Sequence, residues 1–203
     1  MSEPSLWMQK VAEDPQHSHW YVERFRKLER EGGTDVYGEA RLIDAMAARR
    51  SHILDAGCGP GRTGGYLHRV GHRVVGVDVD PVLIAAAEED HPGPRWIVQD
   101  LAELDLPAVG IDEPFDLIVS AGNVMAFLAP STRISVLERL RTHLREDGRA
   151  VIGFGAGRGY PFSDFLKDTA RAGFTPDVLL STWDVRPFAD DSNFLVAVLR
   201  NSD

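Results

Sequence analysis

Cysteine is nearly absent: Cys58 is the only one in 203 residues. A single thiol forms no internal disulfide, and paired-cysteine zinc patterns are excluded. Uninterrupted blocks of Lys and Arg are missing too, and 22 basic residues stand against 31 acidic ones, a formal net charge of −9. Affinity for nucleic acid comes largely from neutralising phosphates, so this balance argues against a DNA or RNA partner and favours a small or neutral one. No apolar run approaches the ~20 residues of a membrane span. The start, Met1-Ser2-Glu3-Pro4-Ser5-Leu6-Trp7, lacks the basic residues and apolar run of a signal peptide, which implies no membrane partner and a cytoplasmic location.

What remains is ordinary globular composition, with 43% hydrophobic and 26% charged residues in a chain long enough for one sizeable core. Two helices are expected first, from Gln16 to Glu31, broken by Gly32-Gly33, and from Val36 to Arg50. Five short apolar runs follow as buried strands: 52–56, 73–78, 95–98, 115–120 and 150–154. Helical segments lie between them. Asp80-Pro81 opens one with a capping carboxylate and a proline at the first position, and Thr132 to Arg145 is another, stopping at Asp147-Gly148. Such alternation implies a doubly wound α/β sheet. The last quarter departs from it: a helix from Phe162 to Ala172, a strand from Val178 to Val185, a turn-rich stretch and a strand from Asn193 to Leu199. With no room for a crossover helix, the last two strands are expected to form an antiparallel hairpin.

Leu54-Asp55-Ala56-Gly57-Cys58-Gly59-Pro60-Gly61-Arg62-Thr63-Gly64-Gly65 closes the first strand. Glycines let backbone turn sharply and approach a ligand, and the helix that follows offers unpaired N–H donors. Gly59-x-Gly61-x-x-Gly64 also satisfies the dinucleotide pattern, so the loop alone leaves an NAD-dependent oxidoreductase open. Asp78, at the end of the second strand, can accept both hydroxyls of a ribose. Asp100, after the third strand, can accept from an adenine amine at the same sheet edge. Asp55 beside the loop would repel a pyrophosphate and suits a cationic ligand instead.

From about His52 onward these motifs resemble the class I S-adenosylmethionine-dependent methyltransferases, through Asp55-x-Gly57-x-Gly59-x-Gly61, Asp78 and Asp100-Leu101. The resemblance implies a seven-stranded, mostly parallel sheet of Rossmann-like type with an antiparallel C-terminal hairpin and two N-terminal cap helices. It implies one domain over 1–203, with a cap over 1–50 and a cofactor-binding core over 51–203. It also implies S-adenosylmethionine as cofactor, held by Asp55, Gly57, Gly59, Gly61, Asp78, Val79, Asp100 and Leu101. Ala121 and Asn123, in the loop after the fourth strand, are expected to flank the sulfonium. A non-catalytic cofactor-binding module is the alternative from outside the enzymes.

Methyl transfer is an in-line displacement at an activated carbon, so alignment contributes more than a dedicated base. Absences narrow the acceptor. Cys58 sits inside the loop and is read as a small apolar filler, which excludes cytosine-C5 chemistry. Ser120-Ala121-Gly122-Asn123-Val124 lacks the Pro-Pro-aromatic run of amino-methylating DNA enzymes, and Ser120 stands where catechol-type enzymes carry a metal-binding carboxylate. A small-molecule acceptor and no metal are expected. His19, Tyr21 and Asn123 are the catalytic candidates, and Arg158 and Tyr160, in the glycine-rich loop after strand five, are candidates for closing over an anionic or aromatic acceptor. His68 and His72 are four apart, but Gly71 ends the helix between them, which disfavours a metal pair.

Overall fold

The apolar runs of the middle of the chain all become strands of one sheet in the computed structural model, which describes residues 2–33 and 35–202. They are β1 His52–Ala56, β2 Arg73–Asp78, β3 Arg95–Val98, β4 Phe115–Ser120 and β5 Leu144–Gly155, joined by β6 Phe174–Leu180 and β7 Phe194–Asn201. The order across the sheet is β3-β2-β1-β4-β5-β7-β6. The first five strands run parallel, and β7 lies antiparallel between β5 and β6. All five residues of β1 are buried, as a strand covered on both faces requires.

The helices are α1 Leu6–Glu13, α2 His17–Glu31, α3 Gly38–Met46, α4 Arg62–Arg69, α5 Pro81–Asp90, α6 Val124–Phe127, α7 Arg133–His143 and α8 Phe162–Arg171. One sheet face carries the larger core, in which Leu54, Ile118, Ile152 and Leu199 meet Val136, Leu140 and Phe165 of α7 and α8. On the other face Ile53, Leu117 and Val151 meet Ile43 of α3 and Leu67 of α4. The order reverses between β1 and β4, from which the chain departs in opposite directions, and a crevice opens there at the strands' carboxyl ends.

Several expectations need correction. Three helices precede β1, not two: α1 starts directly after Ser5, whose side chain accepts from the Met8 N–H, and it buries Trp7. The helix expected over Val36 to Arg50 is trimmed to Gly38–Met46. The helix expected to reach Arg145 ends at His143, because Leu144 already pairs with Phe115 at the start of β5. The strand expected from Val178 to Val185 instead runs from Phe174 to Leu180, starting directly after Gly173 (φ +83°). Ser181 to Arg186 then turns tightly, with the Ser181 N–H donating to the Arg186 carbonyl at 2.8 Å, while Trp183 packs over Gly153. The final hairpin is antiparallel as expected.

Candidate active site

The glycine loop leaves β1 and bends back against β2. The N–H groups of Gly57 and Cys58 both donate to the Val77 carbonyl, at 2.8 and 3.0 Å, and the Gly59 N–H donates to Asp78 Oδ2 at 2.9 Å. Gly57 has φ +79°, and a Cβ there would overlap the side chain of Val124 on α6. Gly61, Gly64 and Gly65 answer a different need. A Cβ at Gly61 or Gly64 would press on Trp96, and one at Gly65 on His91, so these glycines seat α4 against the β3 layer.

The three acids converge on the same sheet edge, and two of them are buried. Asp55 Oδ2 accepts from the Gly64 N–H at 2.8 Å, capping the first turn of α4. Burial pushes its carboxyl up to about 7, against the lowering effects of that hydrogen bond and of Arg62. Asp78 accepts from Gly59 N–H with one oxygen and from Asp80 N–H, at 3.0 Å, with the other. It is raised to about 6, again chiefly by burial. Asp100 accepts from the Ala102 N–H at 2.8 Å and caps a short 3₁₀ turn, Leu101–Glu103.

An open cleft of about 920 Å³ runs past these groups. Asp55, Gly57, Gly59, Asp78, Val79, Asp100, Leu101 and Ala121 line it, together with Tyr21. Gly61 does not, because it faces Trp96 and Ala87. The opposite wall comes from the cap: Ser5 precedes α1, Trp7 is on α1, and Tyr21 and Phe25 are on α2. Trp7 stands edge-on to Tyr21 and to Phe127 of α6, with ring centres 5.1 and 5.6 Å apart. Arg62 also lines the cleft; it pairs bidentately with Glu39 at 2.9 and 3.0 Å and lies 5.5 Å over the Phe25 ring.

Of the catalytic candidates, only Tyr21 reaches the cleft. Its ring lies over the Gly59 backbone, and its phenol is held above the ordinary tyrosine value by burial, with Asp78 adding to the rise and Arg62 opposing it. That environment favours the neutral phenol. His19 is exposed and does not line the cleft, since α2 turns its residue two positions before Tyr21 to another face. Asn123 (φ +69°) also lies outside the lining; its Oδ1 accepts from the Gly155 N–H at 2.8 Å and ties the loop after β4 to the end of β5. Tyr160 is no lid: it is buried, stacked on Phe154, and its hydroxyl donates to Asp168 at 2.8 Å.

His72 is buried against Asp44, with Nε2 and Oδ1 3.0 Å apart, and His68 packs over Gly93. The two histidines thus serve different contacts. Cys58 packs with Ile84, Ala87 and Trp96, and burial keeps its thiol well above the usual range, as a space-filler requires.

Sequence reasoning missed Trp7, Phe25, Arg62, Leu83 and Phe127 among the lining residues. Arg62 follows the glycine loop directly, and its position was the one usable signal. The aromatic wall depends on how α1 and α2 dock on α5, which no local pattern announces.

A parallel sheet reversing at β1 and β4, a glycine loop at that reversal and acids ending β2 and following β3 define the class I methyltransferase fold. A family model described as a methyltransferase domain matches residues 53–148. A TehB-like SAM-dependent methyltransferase from Corynebacterium glutamicum is 52% identical, covering 93% of this chain and 100% of that one, with a TM-score of 0.87. The chain belongs to the class I S-adenosylmethionine-dependent methyltransferases, and S-adenosylmethionine is its cofactor. Among curated proteins it is similar to the malonyl-[acyl-carrier protein] O-methyltransferase of Pectobacterium atrosepticum, 32% identical over 44% of this chain and 34% of that protein. It is also similar to the magnesium-protoporphyrin O-methyltransferase of Rhodobacter capsulatus, 33% identical over 60% of this chain and 54% of that protein. The chain thus spans between about a third and half of these two curated relatives. Among the described residues, no helix is long and apolar enough to cross a membrane.

Proposed function

We propose that this methyltransferase holds its cofactor across the cleft from Asp100 to Gly57 and delivers the methyl group to a small molecule. The carrying observation is that the glycine loop and all three acids meet in one cleft. The residues fit the cofactor: at Gly57 a Cβ would fill the cradle, and Asp78 keeps lone pairs beyond its two backbone hydrogen bonds for ribose hydroxyls. Asp100 faces the adenine, with Val79 and Leu101 against its ring. Asp55 and the loop backbone face the methionine end, and Ala121 flanks the sulfonium. Gly61 supports this site from behind by seating α4, and Asn123 fixes the loop after β4. Tyr21 donates toward the methionine end beside Arg62, and Trp7 and Phe25 exclude water. S-adenosylmethionine supplies a methyl group already activated by its sulfonium, so the protein's task is to align and desolvate the reactants. Residues 1–203 act as one domain in this reading, with 1–50 as the cap.

Titration of the acids gives the binding a pH dependence. Both carboxylates act in their ionised forms, and in the free protein they are raised to about 6 and about 7. Raising the pH from 5 to 8 ionises them before binding, so affinity should increase with pH, by about tenfold per unit for each proton released, and level off above both values. Calorimetric titration with S-adenosylhomocysteine across that range checks this. The Asp78→Asn variant should retain only the dependence due to Asp55.

The acceptor reading is supported by the net charge of −9 and by the O-methyltransferase relative named for magnesium-protoporphyrin, a small molecule. Incubating the protein and methyl-labelled cofactor with a cell extract, then separating small molecules, protein and RNA, tests it. Label should collect in the small-molecule fraction. Label confined to RNA or protein would overturn the reading.

A further inference from the structure

On the adenosine side of the cleft the sheet edge is acidic, with Asp78 ending β2 and Asp100 after β3. The reacting methyl belongs at the other end, by Gly57 and the loop after β4, so an acceptor approaches from the carboxyl ends of β4 and β5. There the character of the groups inverts. Asn123 spends its Oδ1 on the Gly155 N–H, which leaves its Nδ2 as a donor. Arg158 stands beside it: Arg158 Nε and Asn123 Oδ1 each lie 3.4 Å from the point that a Cβ on Gly155 would occupy.

Arg158 is exposed and, among the described residues, has no carboxylate or carbonyl partner. Arg24, Arg30, Arg50 and Arg141 share that exposure, and what sets Arg158 apart is its place beside Asn123 at the ends of β4 and β5. The segment that carries it is fastened at both ends. At its start, Gly155 is tied to Asn123, and the Ala156 N–H donates to the Asn193 carbonyl at 2.9 Å. At its end, Tyr160 is buried with its hydroxyl on Asp168, and Arg133 lies 3.9 Å under its ring while donating to the Gly159 carbonyl at 2.8 Å. Gly157 and Gly159 (φ +72° and +81°) turn the chain between these anchors and lift Arg158 into solvent. A cation held out on an anchored arch beside a donor amide is arranged to receive an anion.

We propose that Arg158, with Asn123 Nδ2, binds a carboxylate of the acceptor and so selects acidic small molecules for this site. The assignment rests on the small-molecule methyltransferase reading. Arg158 is a specificity-determining residue here and takes no part in moving protons.

The protein loaded with S-adenosylhomocysteine, titrated with benzoate, phenylacetate and succinate and with the corresponding amides, tests this. Wild type should bind at least one carboxylate at least about tenfold more tightly than its amide. Arg158→Ala should erase that preference, Arg158→Lys should keep part of it, and both should bind S-adenosylhomocysteine as wild type does. Equal affinity for acids and amides, no saturable binding of any of the three acids, or a preference that survives Arg158→Ala would overturn the assignment. Loss of S-adenosylhomocysteine binding in wild type would overturn the cofactor reading itself, and the acceptor site with it.

Discussion

Gly57→Ala is expected to cost the protein at least about thirtyfold in S-adenosylmethionine affinity while leaving the sheet folded. Two effects add. A side chain at φ +79° costs about 1–2 kcal/mol, and forcing a methyl into the Val124 side chain costs about 1–3 kcal/mol more. At about 1.4 kcal/mol per tenfold, these together amount to roughly one and a half to three and a half orders of magnitude if the loop yields to relieve them. Val124→Ala removes the two methyl groups that the new Cβ meets. The double variant should therefore recover part of the affinity, and the residual loss reports the backbone alone. Titration of wild type, Val124→Ala, Gly57→Ala and the double variant checks this. A Gly57→Ala protein that binds within threefold of wild type would remove this glycine from the site.

The largest effect on stability is expected at Asp80. Its carboxylate is buried and joins three elements: it accepts from Trp7 Nε1 of α1 at 2.8 Å, from Ser18 Oγ of α2, and from the Val82 N–H of α5 at 2.9 Å. Asp80→Ala leaves two buried donors without an acceptor and uncaps α5, which together cost roughly 3–5 kcal/mol. For a chain of this size that is a fall in Tm of about 10 °C. Because Ser5, Trp7, Tyr21 and Phe25 all reach the cleft from the cap, cofactor affinity should fall with it. Asp80→Asn keeps an acceptor oxygen and should retain part of both. Thermal unfolding, with limited proteolysis to find where cleavage begins, checks this: the cap should be cut first in Asp80→Ala. An unchanged Tm would show that hydrophobic contacts of Trp7 and Val22 with Leu83 and Ala86 hold the cap unaided.

The sheet and the floor of the site were legible because their determinants are local. Each of the first four strands is a short apolar run, Asp80-Pro81 announces α5, and Gly57, Gly59, Asp78 and Asp100 lie at strand ends, where a single-residue error would move them off the edge. The cap was only half legible. α1 is eight residues, held by one serine cap and by Trp7, whose burial depends on a partner 73 positions away. β6 was misplaced because it is an edge strand, with alternation too weak to fix its ends once Trp183 left the strand to cover Gly153. Tyr160 read as a lid because its loop is rich in glycine; its burial depends on Phe154, Phe165 and Asp168, which the fold brings to it. Asn123 sat close to the right place, but its oxygen holds Gly155, a contact between neighbouring strand ends that appears only once β4 and β5 are paired.

The most direct test of the central claim is calorimetric titration of wild type and Asp78→Ala with S-adenosylhomocysteine and NAD. Wild type should bind S-adenosylhomocysteine at one site and not respond to NAD. Asp78→Ala should weaken that binding by about 1–3 kcal/mol through loss of charged hydrogen bonds to the ribose. Equal affinity in the two proteins would contradict the placement of the cofactor along this sheet edge.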